Sequence, residues 1–141
     1  MKPGIRIVLH LLAPPFLGAA VGIVAASIWQ LLNGGRLSTI LQEVHDYPVT
    51  FLYAYVFGIV PSAVYAAIME WAVWRGFEPG RRRAILFSGI LGLLAGLAII
   101  LPFLIGDAKA LPIALYLGGI GLVVGLLLEW LIGRLTPVHT P

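Results

Sequence analysis

The apolar positions of this chain do not alternate, and they do not form a stripe along one helix face. They run on continuously, for twenty or more residues at a time. Four such runs occur: Ile5–Leu32, Val49–Trp74, Ala84–Ile105 and Leu111–Gly133. At about 1.5 Å per residue, a helix needs about 20 residues to cross the hydrocarbon core of a bilayer. The pattern therefore predicts an all-α integral membrane protein, one domain over residues 1–141 with four transmembrane helices. Three polar stretches separate the runs, "NGGRLSTILQEVHDYP", "RGFEPGRRR" and "GDAKA", each containing residues that turn a chain. Pro48 and Pro112 stand at expected helix starts, where the missing N–H costs nothing. The opening segment has the basic start of a secretory signal. Its apolar run continues to Leu32, however, so a retained first span is expected. In the first polar stretch Leu37, Ile40, Leu41 and Val44 recur at helical spacing. They predict a short interfacial helix over about 36–45, with an irregular loop as the plainer alternative.

Composition agrees with this pattern. Hydrophobic residues make up 60% of the chain and charged residues 11%. Soluble domains carry about 25% charged residues, so too little polar surface exists to cover a globule in water. The net charge of +3 sets an orientation and does not point to nucleic acid. Lys2, Arg6, Arg75, Arg81, Arg82, Arg83 and Arg134 fall at one end of the expected bundle, and Arg36 and Lys109 at the other. The positive-inside rule then places both termini in the cytoplasm of a bacterial-type inner membrane. Trp71, Trp74 and Trp130 mark the cytoplasmic interface; Trp29, Tyr47, Tyr53, Tyr55 and Tyr116 mark the outer one. The absence of cysteine excludes disulfides, thiolate nucleophiles and cysteine-ligated zinc.

A short repeat crosses the chain. Glu70-Trp71 followed by Arg75 recurs as Glu129-Trp130 followed by Arg134, offset by 59 residues. Pro3–Arg6 similarly matches Pro79–Arg82, offset by 76. Two tandem helical hairpins of the same direction, the first with a longer outer loop, would produce this pattern.

Small residues mark where helices approach in lipid, because hydrophobic burial drives little association there. Gly18 and Gly22 form one i+4 row, Ser88, Gly92 and Gly96 a second, and Gly121 and Gly125 a third. Glu129 continues the third row, and Glu70 continues Gly58, Ser62 and Ala66. Both carboxylates are therefore expected to face neighbouring helices. At the same depth stand Arg6 and His10 on the first helix and Arg82 and Arg83 on the third, and a contact of Glu129 with Arg6 or His10 is expected. The plain reading of such a group is an ion pair that fixes packing. The sharper one is a carboxylate that carries a proton or meets a cationic substrate. Pro14, Pro15 and Pro61 are candidate helix breaks, each also readable as a kink whose freed carbonyls find other donors.

Catalytic motifs are absent. Ser27, Ser62 and Ser88 have no His–Asp pattern around them, and no metalloprotease, phosphate-loop or nucleophile-elbow motif occurs. Glu43, His45 and Asp46 are close in sequence, but helical spacing does not aim all three at one ion. No enzyme activity, metal or cofactor is expected. The chain reads as a small polytopic protein that binds a lipid, a membrane protein or a second copy of itself through Gly-rich helix faces. The alternative is a small proton- or cation-coupled transporter or channel using Glu70 and Glu129.

Overall fold

In a computed structural model of the chain, residues 3–34, 36, 46–104 and 111–135 are described. They form four helices: α1 (Pro3–Leu32), α2 (Tyr47–Trp74), α3 (Arg82–Leu104) and α4 (Leu111–Leu135). All four are long and apolar enough to cross a membrane. The outward faces are rich in exposed large apolar side chains, among them Val60 at 69%, Leu115 at 65% and Leu86 at 62%. Apolar surface on this scale is compatible with lipid and not with water. Apart from Arg36, the expected interfacial helix over 36–45 lies outside the described residues, as do Glu43 and His45.

The prolines do not break the helices. α1 runs through Pro14 and Pro15 and α2 through Pro61 without interruption. Beside the two α1 prolines, the Tyr55 hydroxyl donates to the Leu12 carbonyl at 3.1 Å. At the far end of α2, Gly76 adopts φ +95°. The Gly76 N–H then reaches the Val73 carbonyl and the Phe77 N–H the Ala72 carbonyl, each at 3.0 Å. This left-handed glycine cap satisfies carbonyls that the helix end would otherwise leave bare.

The tightest helix pairs are α1 with α2 and α3 with α4. Within α3–α4 the contacts step four residues forward on one helix and four back on the other. Ser88 meets Gly125, Gly92 meets Gly121, and Gly96 meets Leu117, backbone against backbone. The same register carries on to Gly80 and Gly133, whose main chains touch. A methyl group at any of these glycines would overlap the facing backbone. The α1 glycines do not work this way. A Cβ at Gly18 would find nothing within 4 Å, and one at Gly22 would meet only the side-chain ends of Ile120 and Tyr116. Expected helix-packing positions Gly18 and Gly22 therefore carry no backbone contact. The α1–α2 hairpin is held instead by side chains, with Phe16 stacked on Phe51 at 5.1 Å between ring centroids.

The core is concentrated toward the end of the bundle that carries Arg75, Arg81 and Arg134. Tyr65, Met69, Leu128 and Ile132 are buried there, with Leu9, Ala13, Leu17, Phe87 and Leu91 packed around them.

These contacts predict a sharp contrast. Gly92→Val and Gly121→Val each lower unfolding free energy by at least about 1–3 kcal/mol, the usual cost of overpacking. Gly18→Ala stays within about 0.5 kcal/mol of the parent. Detergent-titrated unfolding followed by circular dichroism measures all three.

Candidate functional site

Two features lie along the bundle axis. The first is a chain of polar side chains inside the core. Arg6 grips Glu70 with two parallel bonds, Nε to Oε1 at 2.7 Å and Nη2 to Oε2 at 2.6 Å. This fork geometry is the strong form of a carboxylate ion pair. His10, one turn further along α1, is fully buried between the two carboxylates. Its Nε2 lies 3.3 Å from Glu129 Oε2, and its Nδ1 lies 3.5 Å from Glu70 Oε1. The second approach is misaligned, and Nδ1 has no hydrogen bond. Glu129 is also fully buried, and its other oxygen, Oε1, accepts the Gly80 N–H at 3.1 Å.

Local sequence explains this placement. Arg6 and His10 are four apart and share one face of α1. Glu129 sits in the row Gly121, Gly125, Glu129, Gly133, whose first two members meet the α3 backbone and whose last meets Gly80 in the loop before it. The loop before α3 is drawn against α4 where Gly80 touches Gly133, and this brings the Gly80 N–H onto the carboxylate. Gly80 has φ +79°, a conformation open to glycine without steric cost.

The expected residues are thus divided. Arg6, His10, Glu70 and Glu129 come together. Glu129 meets His10 as expected, but Arg6 pairs with Glu70. Arg82 does not join them, because its side chain is exposed. The first turn of α3 reaches the cluster through the backbone of the preceding loop and not through its arginines. Arg75 and Arg134 lie over tryptophan rings, Arg75 over Trp71 at 5.2 Å and Arg134 over Trp130 at 5.2 Å. These are interfacial cation–π contacts. Among the described residues no three His, Asp or Glu side chains gather around a point where an ion could be held.

Tyr65 links the polar chain to the second feature. Its ring meets His10 edge-on, with centroids 5.7 Å apart. Its hydroxyl is 2.7 Å from Ser88 Oγ, and Ser88 donates to the Gly125 carbonyl at 2.6 Å. A serine has one hydroxyl hydrogen, so Tyr65 is the donor in the first bond. Sequence reasoning passed over this group. The available signal was a tyrosine deep in an apolar run, whose hydroxyl must find a partner in hydrocarbon.

Beyond Tyr65 the four helices frame a half-open cavity of about 640 Å³. Asp46, Thr50, Tyr53, Phe57, Pro61 and Tyr65 line it from α2 and its cap, at spacings of three and four. They form one helical face. Pro14, Gly18, Gly22 and Ala26 face it from α1, and Gly92, Gly96, Ile120 and Gly121 from the second hairpin. Neither Glu70 nor Glu129 reaches its wall. Along α1 it extends from Pro14 to Ser27, roughly 20 Å at about 1.5 Å per residue. Tyr116, on the same wall, donates its hydroxyl to the Gly22 carbonyl at 2.8 Å. No protein-family model, curated protein or solved structure matches this chain.

The polar chain predicts graded costs. His10→Ala strands the fully buried Glu129 carboxylate and lowers stability by about 3–5 kcal/mol. Arg6→Ala costs less, about 1–3 kcal/mol, because Arg6 and Glu70 keep some exposure. The double variant Arg6→Ala/Glu70→Ala loses less than the two single losses added together. Denaturant unfolding of the parent, the three single variants His10→Ala, Arg6→Ala and Glu70→Ala, and the double variant tests this order.

Proposed function

We propose that this four-span membrane protein is a non-enzymatic binder of a membrane amphiphile, held one molecule at a time in the cavity between its two hairpins. The observation that carries this reading is the cavity itself. Its volume lies within the roughly 300–1,000 Å³ of small-molecule sites. It is elongated, and its walls are mostly Gly, Ala, Pro, Ile and aromatic side chains. Its polar side chains include Ser27, Asp46 and Thr50 near one end. A molecule with an apolar body and one polar head matches that distribution.

The glycine rows favour this site over an outward docking face. Gly92, Gly96, Gly121 and Gly125 close the α3–α4 seam and at the same time form one side of the cavity, and Gly18 and Gly22 line it from α1. The non-enzymatic part rests on the commitments of the polar groups. The Ser88 hydroxyl serves Tyr65 and Gly125, and the flanks of the His10 ring face carboxylates and not a nucleophile. The charge distribution supports a bacterial-type inner membrane with both termini in the cytoplasm, which puts the cavity mouth at the outer face.

A second reading, proton-coupled transport of the bound molecule, is favoured by one observation. The chain Arg6, Glu70, His10, Glu129 abuts the cavity floor through Tyr65. His10 Nε2 lies 3.3 Å from Glu129 Oε2 and His10 Nδ1 3.5 Å from Glu70 Oε1, so one ring bridges both carboxylates, and ionisable groups inside a membrane bundle mark ion and proton paths.

Three measurements test the cavity, the orientation and the choice between binding and transport. Native mass spectrometry of the purified chain should find one retained amphiphile per protein. Gly18→Leu should abolish retention with the melting temperature unchanged, because a side chain there projects into open space. Equal retention by parent and variant rejects the cavity as the site. For orientation, single cysteines placed at Arg83 and Asp46 in this cysteine-free chain should react with an impermeant maleimide from opposite sides of the membrane. For transport, amphiphile-driven proton movement in proteoliposomes should vanish in Glu129→Gln at an undiminished level of folded protein; a binder without transport shows no such movement in either protein.

A further inference from the structure

The character of the bound molecule's head follows from the charges at the cavity mouth. Asp46 is the sole charged side chain on the wall among the described residues. It occupies the N-cap of α2, where an aspartate ordinarily accepts a backbone N–H of the first turn. Asp46 does not. It has φ −89° and ψ −10°, and its side chain makes no capping bond. The Thr50 hydroxyl bonds the Asp46 backbone carbonyl at 3.2 Å and leaves the carboxylate alone. An exposed carboxylate without a capping duty thus stands at the entrance of a largely apolar chamber.

The aromatic rings nearby complement it. Tyr65 and Tyr116 have committed their hydroxyls to Ser88 and to the Gly22 carbonyl. Tyr47 and Tyr53 lie on the wall in the first two turns of α2, at the Asp46 end. Tyr53 is stacked with Phe57, centroids 6.2 Å apart, which makes a two-ring strip leading inward. Ring faces attract cations, most strongly ammonium groups with apolar substituents that shed water easily. A carboxylate at the mouth attracts a cation and repels an anion.

We propose that the cavity selects a cationic amphiphile. Its ammonium head sits by Asp46 between the rings of Tyr47 and Tyr53, and its apolar body extends along Phe57 and Gly58 toward Tyr65. This rests on the reading of the cavity as an amphiphile site and adds the sign of the head. Neutral amphiphiles enter more weakly, and anionic ones are excluded.

The test uses the full chain in phosphatidylglycerol nanodiscs and three probes. Each carries the same dodecyl chain with a terminal diazirine, and the heads are trimethylammonium, maltoside and sulfate. After photolysis, peptide mass spectrometry counts adducts at Ser62, Tyr65 and Val124 on the deep wall. Each count is divided by that at lipid-facing Leu86 and Leu115, which removes differences in partitioning. The expected result is labelling by the ammonium probe about tenfold above the maltoside, the preference that one rim carboxylate and two ring faces supply, with the sulfate lowest. Asp46→Asn should reduce that advantage to less than about threefold without shifting the melting temperature. Gly18→Leu should remove deep labelling by all three probes. Equal labelling by the three heads in the parent, or an undiminished preference in Asp46→Asn, overturns the cationic head while the cavity stands. Deep labelling that survives Gly18→Leu overturns the cavity reading itself.

Discussion

His10 ties the two hairpins together, and much of the arrangement depends on it. Its ring stands between Glu70 of the first hairpin and Glu129 of the second. In hydrocarbon neither carboxylate could turn outward without a cost of several kcal/mol. Each must find its partner inside the bundle, and α1 supplies both partners from one face. The constraint is directional. It fixes the rotation of α1, α2 and α4 about their axes and sets their depths against one another. The apolar core of Tyr65, Met69, Leu128 and Ile132 then closes around the polar chain.

Joining the hairpins at one end leaves the other end free to part. The α3–α4 seam is closed along its length by backbone contact at Gly80, Gly92, Gly96, Gly121 and Gly125. The α1–α2 pair is spaced by side chains such as Phe16 and Phe51. A close pair and a wide pair do not fill the same volume when they meet. Contacts at the His10 end make up the difference, and toward Asp46 and Ser27 the mismatch becomes the cavity. The polar cluster and the chamber are thus two consequences of one geometry, with Tyr65 touching both.

The two hairpins differ at positions that the short sequence repeat would pair. At an offset of 76, Phe16 corresponds to Gly92, and at an offset of 59, Trp74 corresponds to Gly133. Phe16, stacked on Phe51 between α1 and α2, stands where the second hairpin has a seam glycine, whereas Trp74 is exposed and takes no part in that contact. The carboxylates diverge in the same way. Glu70 is gripped by an arginine side chain. Glu129 receives a main-chain N–H, which reaches it only because Gly133 lets the loop at Gly80 come close.

Span number and helix limits follow from the sequence alone, because lipid requires an unbroken apolar run wherever a helix crosses. The inward direction of Glu129 was legible for a similar reason, since small residues one turn apart define a contact face and the acid continues that row. The sequence also brought Arg6 and His10 to the right depth. It left open which acid each would meet, because pairing depends on how far α1 rotates against α2 and α4, and that angle is a sum of many side-chain contacts. It suggested packing glycines on α1 where the structure has a cavity wall, because a row of small residues looks the same whether a helix or a ligand-sized space lies opposite. Tertiary structure decided those points. The volume between two hairpins is set by the difference between their spacings, and no single segment of the chain records that difference.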